Sequence, residues 1–225
     1  MIKIILAFTS ISTQTAIPVI NIHDWALASY GSEMVFEIKR NGKNIGTHQV
    51  NFKSNNKKLS IESKTQIRVK FLFFNAYKFD YNSLEKWKNG ELVSLLSTTD
   101  DNGKKSVVNI VPGTDIINVT INKVTHMNSL GDLKYTTNHW NPNVLSGNLV
   151  LNTITGKPNK FQISQVGMDS VSTGDSERIA AHYQYSGDLN NISTWYDEKL
   201  RWVGLSFESK DGSTISYECK VCGVE

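Results

Sequence analysis

The sequence predicts an all-β protein, mainly one large, curled antiparallel sheet in meander order, with one short helix. Three observations predict this fold class. Apolar and polar residues alternate with a period of two over long runs, turn dipeptides separate these runs, and no helical crossover lies between them. Parallel pairing needs connections of a dozen or more residues, so the short turns favour antiparallel neighbours.

The clearest alternation covers residues 59–71, where the odd positions are mostly apolar and the even positions are polar or charged. It predicts a strand with one buried face, because a helix would spread the same residues around its circumference. The pattern resumes over Tyr77, Phe79 and Tyr81. The two runs are therefore predicted to be neighbouring long strands.

Shorter strands are predicted on both sides of this central pair. Asn-Gly at 41–42 and 89–90 and Asp-Gly at 211–212 supply the residues that tight hairpin turns need. Asn141 followed by Pro142 is typical of a helix entry, so a short helix is predicted to end near Ser146. The further strands are predicted at residues 34–38, 50–52, 92–98, 106–111, 117–121, 149–154, 161–166, 179–185, 192–196, 200–207 and 214–218.

A sheet of about ten strands does not stay flat, because each strand is rotated from its neighbour by roughly 20–25°. The prediction is a half-barrel or an open barrel, and periodicity alone does not exclude a closed barrel or two packed layers. Residues 29–225 are predicted to form a single β-rich domain, since neither an internal repeat nor a linker interrupts them.

The N-terminus has the features of an export signal. Lys3 precedes an apolar segment, and Ala26-Leu27-Ala28 has the small-x-small form that signal peptidase accepts. The prediction is a signal peptide over residues 1–28 and a periplasmic or secreted protein. Polar residues 12–15 interrupt the apolar segment, which leaves an ordinary N-terminal segment as the alternative. No later run reaches the roughly 18 apolar residues of a membrane span, so none is expected in the mature chain.

Charge and cysteine content limit the function classes. The net charge is +3 without a basic cluster, which argues against a nucleic-acid partner. Cys219 and Cys222 are the two cysteines, and a single C-x-x-C lacks the second pair of a zinc site. In an oxidising compartment they are candidates for a local disulfide. Free thiols, a redox role and a metal role remain alternatives, and neither a metal nor a cofactor is predicted.

Six blocks of sequence stand out, at residues 85–92, 99–103, 139–142, 152–156, 195–197 and 201–205. Together they resemble one exported bacterial family, the domain of unknown function 6134 family. This resemblance implies an exported, β-rich single domain without an assigned activity. A more distant similarity to envelope half-barrel proteins implies a concave sheet with an apolar interior. The cysteine pair departs from the family pattern.

Common catalytic signatures are absent from the sequence. It contains no G-x-S-x-G, no G-x-x-x-x-G-K, no H-E-x-x-H and no G-x-G-x-x-G. The five histidines are far apart in the sequence, although a sheet could still bring them together. An enzyme is therefore disfavoured without being excluded.

Aromatic residues give the main functional hypothesis. Phe73 and Phe74 fall between the two long strands, where they form either the core of a bend or the lip of an apolar cavity. Tyr81, Glu85 and Trp87 share one face of a predicted strand. If Glu85 is buried without a partner, its pKa is raised; at a sheet edge it is solvated or paired with a cation.

Two further segments carry candidate ligand-binding residues. His139, Trp140 and Asn141 lie in an irregular segment, and residues 195–197 end a strand. His139, Asn141 and Asp197 are hypothesised to orient a ligand in an otherwise apolar pocket, with Trp195 and Tyr196 beside them. The alternative is that the aromatic residues pack at sheet ends with their polar atoms at the surface.

The resulting expectation is an exported cell-envelope protein whose curved sheet binds an apolar or lipid-like ligand or a partner protein. Two alternatives stay open. One is an enzyme of unknown reaction with a polar site near His139, and the other is an envelope scaffold without a ligand.

Overall fold

The structure is a computed structural model that describes residues 19–55, 58–71, 74–129, 133–174 and 176–224. One α-helix, α1, covers Ile22–Tyr30, and a 3₁₀ helix covers Pro142–Ser146. The strands are β1 Glu33–Arg40, β2 Lys43–Asn55, β3 Lys58–Phe71, β4 Phe74–Lys88, β5 Glu91–Asp101, β6 Lys104–Pro112, β7 Ile116–Ile121, β8 Val124–Ser129, β9 Tyr135–Thr136, β10 Leu149–Leu151, β11 Pro158–Thr173, β12 Ser176–Gly187, β13 Ile192–Asp197, β14 Trp202–Glu208 and β15 Thr214–Val221.

These strands form one sheet whose order runs from β8 back to β1, then through β15 down to β9. Neighbours are antiparallel, apart from the parallel pair β9 and β10. The end strands β8 and β9 are not neighbours in this order, so the curled sheet is open rather than a closed barrel. The predicted open, mainly antiparallel meander is confirmed.

The described part of the chain has fifteen strands, two more than the central pair and the eleven further strands predicted. β11 continues to Thr173, beyond the strand predicted over residues 161–166, because it pairs with β12 from Phe161 to Thr173. β8 and β9 were not predicted, because apolar and polar residues do not alternate regularly over these two strands. The strand predicted over residues 149–154 ends at Leu151, since the Asn152 carboxamide oxygen accepts the backbone N–H groups of Ile154 and Thr155 and makes a turn.

The two helices differ in how well the sequence indicates them. The 3₁₀ helix is confirmed: the Asn141 side chain caps it by accepting the Asn143 N–H at 3.1 Å, and Pro142 is its first residue. Helix α1 overlaps the end of the segment predicted as a signal peptide, continues two residues beyond it, and was not expected. Among the described residues, neither helix has the length and apolar character that crossing a membrane requires.

Burial along the inner face divides the sheet into two halves. The lower end carries α1 and the Asn89–Gly90 turn, and the upper end carries the Asn41–Gly42 turn. On β3 the inward side chains are buried from Leu59 to Thr65, but Ile67 and Val69 nearer the upper end are only half-buried. On β4 the change falls between Tyr81 and Phe79 in the same way. The inner face is therefore fully buried towards the lower end and half-buried towards the upper end, and these two parts are called the filled half and the open half below.

The filled half is packed by the chain itself. Residues after β8 return inside the curl, where Leu133 and Leu151 pack on Leu95, Val108 and Val119 of β5 to β7. A larger cluster includes α1, the inner faces of β1 to β4 and Trp140. Cys219 and Cys222 form a disulfide in this larger cluster.

Candidate functional site

Glu85 lies at the centre of the filled half, on the inner face of β4. The strand's alternation places it on the same face as the buried side chains of Tyr81, Ser83 and Trp87, while Lys86 points to solvent. Its side chain is fully buried, so the sheet edge with a solvated carboxylate is not what the structure shows. The interior expected to be apolar therefore contains a carboxyl group.

Four neutral donors converge on this carboxylate. The indole Nε1 atoms of Trp87 and Trp140 donate to Oε2 at 2.9 and 3.0 Å. The hydroxyl of Thr136 and the amide of Asn138 donate to Oε1, each at 2.7 Å. A carboxylate accepts about four hydrogen bonds, so its capacity is filled. The group called the carboxylate hub below consists of Glu85 and these four donors.

Burial raises the pKa of Glu85, and the four donated hydrogen bonds act against that rise. Of the four donors, three come from the segment that returns inside the curl, between Thr136 and Trp140. The hub therefore fixes this inner segment against β4. Its geometry leaves no free oxygen on Glu85 for a substrate, which is typical of a structural role.

A second network continues the hub towards β5. The Tyr81 hydroxyl donates to Thr153 Oγ1 at 2.7 Å and to Asn138 Oδ1 at 3.4 Å. Ser97 on β5 donates to the Thr153 carbonyl. Burial raises the pKa of Tyr81 to about 12, so it is a neutral donor at physiological pH. Tyr81 and Trp87 thus belong to the packing of the inner segment.

The His139 ring lies at the border between the filled and the open half. It stacks on Trp202 with ring centroids 5.5 Å apart and meets Tyr185 edge-on at 5.8 Å. His48 also contacts Trp202, at 5.6 Å, and its Nδ1 is 2.8 Å from Thr65 Oγ1. His139, Tyr185, His48 and Trp202 are called the histidine layer below.

Two atoms of this layer are buried without a hydrogen-bond partner among the described residues. They are His139 Nδ1 and the Tyr185 hydroxyl. Ser63 Oγ and Asn141 Nδ2 share this condition elsewhere in the interior. Native proteins satisfy most buried polar atoms, so such atoms indicate a position for a water molecule or a ligand group.

Burial keeps the two histidines neutral. It lowers the pKa of His139 to about 4. It lowers the pKa of His48 to about 3, with a smaller contribution from the nearby His139. Above pH 6.5 both rings are uncharged, so the layer offers hydrogen bonds rather than a positive charge.

Half-buried apolar and tyrosine side chains line the open half above this layer. Ile67 and Val69 lie on β3, facing Phe79 and Tyr77 on β4. Tyr217 on β15 lies across the hollow, 5.6 Å from His48 between ring centroids. These five residues are called the mouth. Phe73 lies outside the described residues, and for Phe74 only its place as the first residue of β4 is described.

The predicted polar trio of His139, Asn141 and Asp197 has three separate sets of partners. Asn141 caps the 3₁₀ helix. Asp197 is buried at a turn, where its Oδ2 pairs with Arg201 at 2.6 Å and Arg178 at 3.3 Å. The geometry thus gives Asn141 and Asp197 local structural contacts, and the atoms of the trio without a partner among the described residues are His139 Nδ1 and Asn141 Nδ2.

Tyr196 and Trp195 point to opposite faces of β13. Tyr196 is fully buried and its hydroxyl donates to the His139 carbonyl at 2.8 Å, so it positions the histidine layer. Trp195 lies on the outer face, where its indole donates to Asp169 Oδ2 at 2.8 Å and stacks on His182 at 4.5 Å. Trp195 is therefore not part of the histidine layer, although it packs against the larger cluster.

Sequence reasoning did not identify several residues of the interior. Thr136 and Asn138 lack a periodic context, and Tyr185 and Trp202 resemble ordinary strand residues. His48 shares one face of its strand with Val50 and Phe52, and this alternation was the signal that could have placed it in the interior. No group of three or more potential metal-ligating side chains occurs within the parts of the chain that the structure describes.

Three comparisons with known proteins bear on the family and the fold of this chain. The profile of the family described as Domain of unknown function (DUF6134) matches residues 36–220. A crystal structure from Brucella abortus, described as a β-barrel-like protein of the domain of unknown function DUF1849, aligns with a TM-score of 0.60 at 8% identity. The alignment covers 83% of this chain and 94% of that one, so the likeness concerns the fold alone. No curated protein matches.

Proposed function

This chain belongs to the family of the domain of unknown function DUF6134, whose description assigns no activity, and we propose its function from the geometry of its own interior. The protein binds a lipid-like small molecule that enters the curled sheet from the upper end. The apolar part of the ligand lies in the mouth, and its polar end reaches the histidine layer. We place this activity in the periplasm or outside the cell, because the predicted signal peptide and the disulfide both favour an exported protein.

The observation that carries this proposal is the pair of buried, unpartnered atoms His139 Nδ1 and Tyr185 Oη beneath a half-buried mouth. A ligand site is typically concave and mostly apolar, with a small number of polar groups that fix orientation. A hydroxyl or carboxyl group of the ligand would provide the partner that each atom lacks. The same two atoms cost free energy while they remain unpaired.

The other functions receive less support from the geometry. An enzyme built on Glu85, His139 and Asp197 would need the three side chains to act on one substrate, yet Glu85 and Asp197 are saturated by other partners. A scaffold that binds a partner protein needs an exposed surface, and nothing in the interior favours it. The lipid-like ligand is therefore the function that the site supports best.

The first experiment is native mass spectrometry of the protein purified from its own host. A co-purified small molecule that organic solvent extracts would support the proposal. A chain that is reproducibly empty, and that fails to bind a fluorescent fatty acid, would contradict it.

The second experiment locates the site. Val69→Ser in the mouth should weaken binding of the fluorescent fatty acid at least several-fold, because it places a hydroxyl against the apolar part of the ligand. The matched control is Val107→Ser on the exposed outer face of β6, which should leave binding unchanged. Replacing both Phe73 and Phe74 with Ser should abolish binding with little change in Tm if they form the lip of the cavity.

A further inference from the structure

Helix α1 is built into the fold on one face. Ile22, Ala26 and Tyr30 recur every four residues and are all buried, with Ala26 fully so. This spacing places them on a single stripe of the helix. Asn21 caps the first turn by accepting the His23 N–H at 3.3 Å. The segment thus has the cap and the apolar stripe of a permanent helix in a folded domain.

The Tyr30 side chain joins this helix to the inner segment, to β14 and to β2. Its hydroxyl donates to the Trp140 carbonyl at 2.9 Å and accepts the Trp202 N–H at 2.9 Å. Its ring stacks on Phe52 with centroids 5.0 Å apart. The hydroxyl therefore joins the inner segment to β14, and it depends on α1 for its position.

The residues before the helix are also anchored. Ile20 and Asn143 form a reciprocal pair, in which the Ile20 N–H donates to Asn143 Oδ1 at 2.7 Å and Asn143 Nδ2 donates to the Ile20 carbonyl at 2.8 Å. His23 Nε2 lies 3.1 Å from Ser54 Oγ on β2. The described contacts thus include Ile20, eight residues before the predicted cleavage position at Ala28.

The C-terminal tail holds the other end of the helix. The Val224 N–H donates to the Ser29 carbonyl at 2.9 Å. Gly223 passes so close that an added Cβ would lie 2.2 Å from the same carbonyl oxygen. The disulfide of Cys219 and Cys222 closes the tail just before this contact.

We propose that Ile20–Tyr30 stays in the mature protein and that the chain is not cleaved after Ala28. Cleavage after Ala28 would remove Ile22 and Ala26 from the core and leave Tyr30 one residue from a charged terminus. The inference rests on the proposed export for the cleavage itself, whereas the role of α1 in the fold does not depend on export.

Two substitutions in the full-length chain test this processing site. Ala28→Glu places a charge at the predicted −1 position, where signal peptidase requires a small residue. Ala28 is exposed on α1, so the fold tolerates the change. We expect the secreted or periplasmic protein to keep the same N-terminus, read by N-terminal sequencing, in the wild type and in Ala28→Glu. A wild-type N-terminus at Ser29, with processing lost in Ala28→Glu, would overturn the proposal.

The matched variant Ala26→Glu tests the helix itself by a thermal melt of the purified protein. Ala26 is fully buried, so the charge should lower Tm by on the order of 10 °C or more, while Ala28→Glu leaves Tm nearly unchanged. Equal melts for both variants would show that α1 is not part of the mature fold. If the chain stays unprocessed in the cytoplasm, the proposed export fails, and the two melts still decide whether α1 is integral.

Discussion

The carboxylate hub and the histidine layer are both polar and buried, yet they differ in how completely their atoms are paired. Glu85 accepts four hydrogen bonds. His139 Nδ1 and Tyr185 Oη have no partner among the described residues. A saturated buried group stabilises one arrangement of the chain, whereas an unsaturated one costs free energy until something else binds it. The comparison separates a structural centre from a candidate binding site.

The largest expected effect is the loss of the hub in Glu85→Gln. Each carboxylate oxygen of Glu85 accepts two hydrogen bonds. In the carboxamide one of these oxygens is replaced by an NH₂ group, so the two donors on that side lose their acceptor. The free energy of unfolding should fall by about 3 kcal/mol or more, measured by urea denaturation. Glu62→Gln on the exposed face of β3 is the control and should change stability by less than about 0.5 kcal/mol. Equal stabilities of the two variants would remove the structural role assigned to Glu85.

Acid should destabilise the protein through the histidine layer. Because the pKa of His48 is lowered from 6.5 to about 3 in the folded state, the unfolded chain binds a proton that the folded chain does not. Stability is therefore lost as pH falls below about 6.5. This histidine alone should contribute about 1 kcal/mol between pH 7 and 5.5.

The raised pKa of Glu85 acts with the opposite sign, because the folded state holds that proton more tightly than the unfolded chain does. The comparison of the wild type with His48→Gln isolates the histidine contribution. Urea midpoints at pH 7 and 5.5 should differ less in the variant. His126→Gln, at an exposed position on β8, should keep the wild-type pH dependence. An unchanged pH dependence in His48→Gln would contradict a neutral, buried His48.

Tyr196→Phe removes the hydroxyl that donates to the His139 carbonyl. The carbonyl then lies buried with one hydrogen bond fewer, so the free energy of unfolding should fall by about 1 kcal/mol. Ligand affinity should fall as well, because His139 loses its support. A variant that is destabilised yet binds the fluorescent fatty acid normally would separate Tyr196 from the histidine layer.

Tyr185→Phe should have the smallest effect on stability and a clear effect on binding. Its hydroxyl has no described partner, so removing it should leave the free energy of unfolding unchanged within about 0.5 kcal/mol or raise it slightly. Affinity for the fatty acid should fall several-fold. A loss of stability like that of Tyr196→Phe, without a loss of binding, would show that this hydroxyl has a structural partner instead.

The sheet was predictable where one face is buried and the other is wet. Period-two alternation identified β3 and β4, and Asn-Gly dipeptides identified the turn between β1 and β2 and the turn between β4 and β5. The pattern fails for β11, because its pairing with β12 continues where side chains on both faces are polar or exposed. It fails for α1 for a different reason: an apolar stripe that follows a leader-like segment is read as part of that segment.

The candidate site was predictable only in part. Glu85 and Trp87 share a face by strand geometry, and the sequence shows this directly. Thr136 and Asn138 reach Glu85 because the chain folds back inside the curl, and no local pattern records such a return. Whether an atom of His139 or Tyr185 finds a hydrogen-bond partner depends on the distances across the interior. Those distances depend on how tightly the sheet curls.

Pairing of β1 with β15 has a consequence for how the protein is made. Lys39 and Glu218 pair across these strands although 179 positions separate them in the chain. The edge of β1 therefore stays without its neighbour until β15 has left the ribosome. Such distant pairing makes folding slow. The nascent chain cannot complete its sheet before β15 is available.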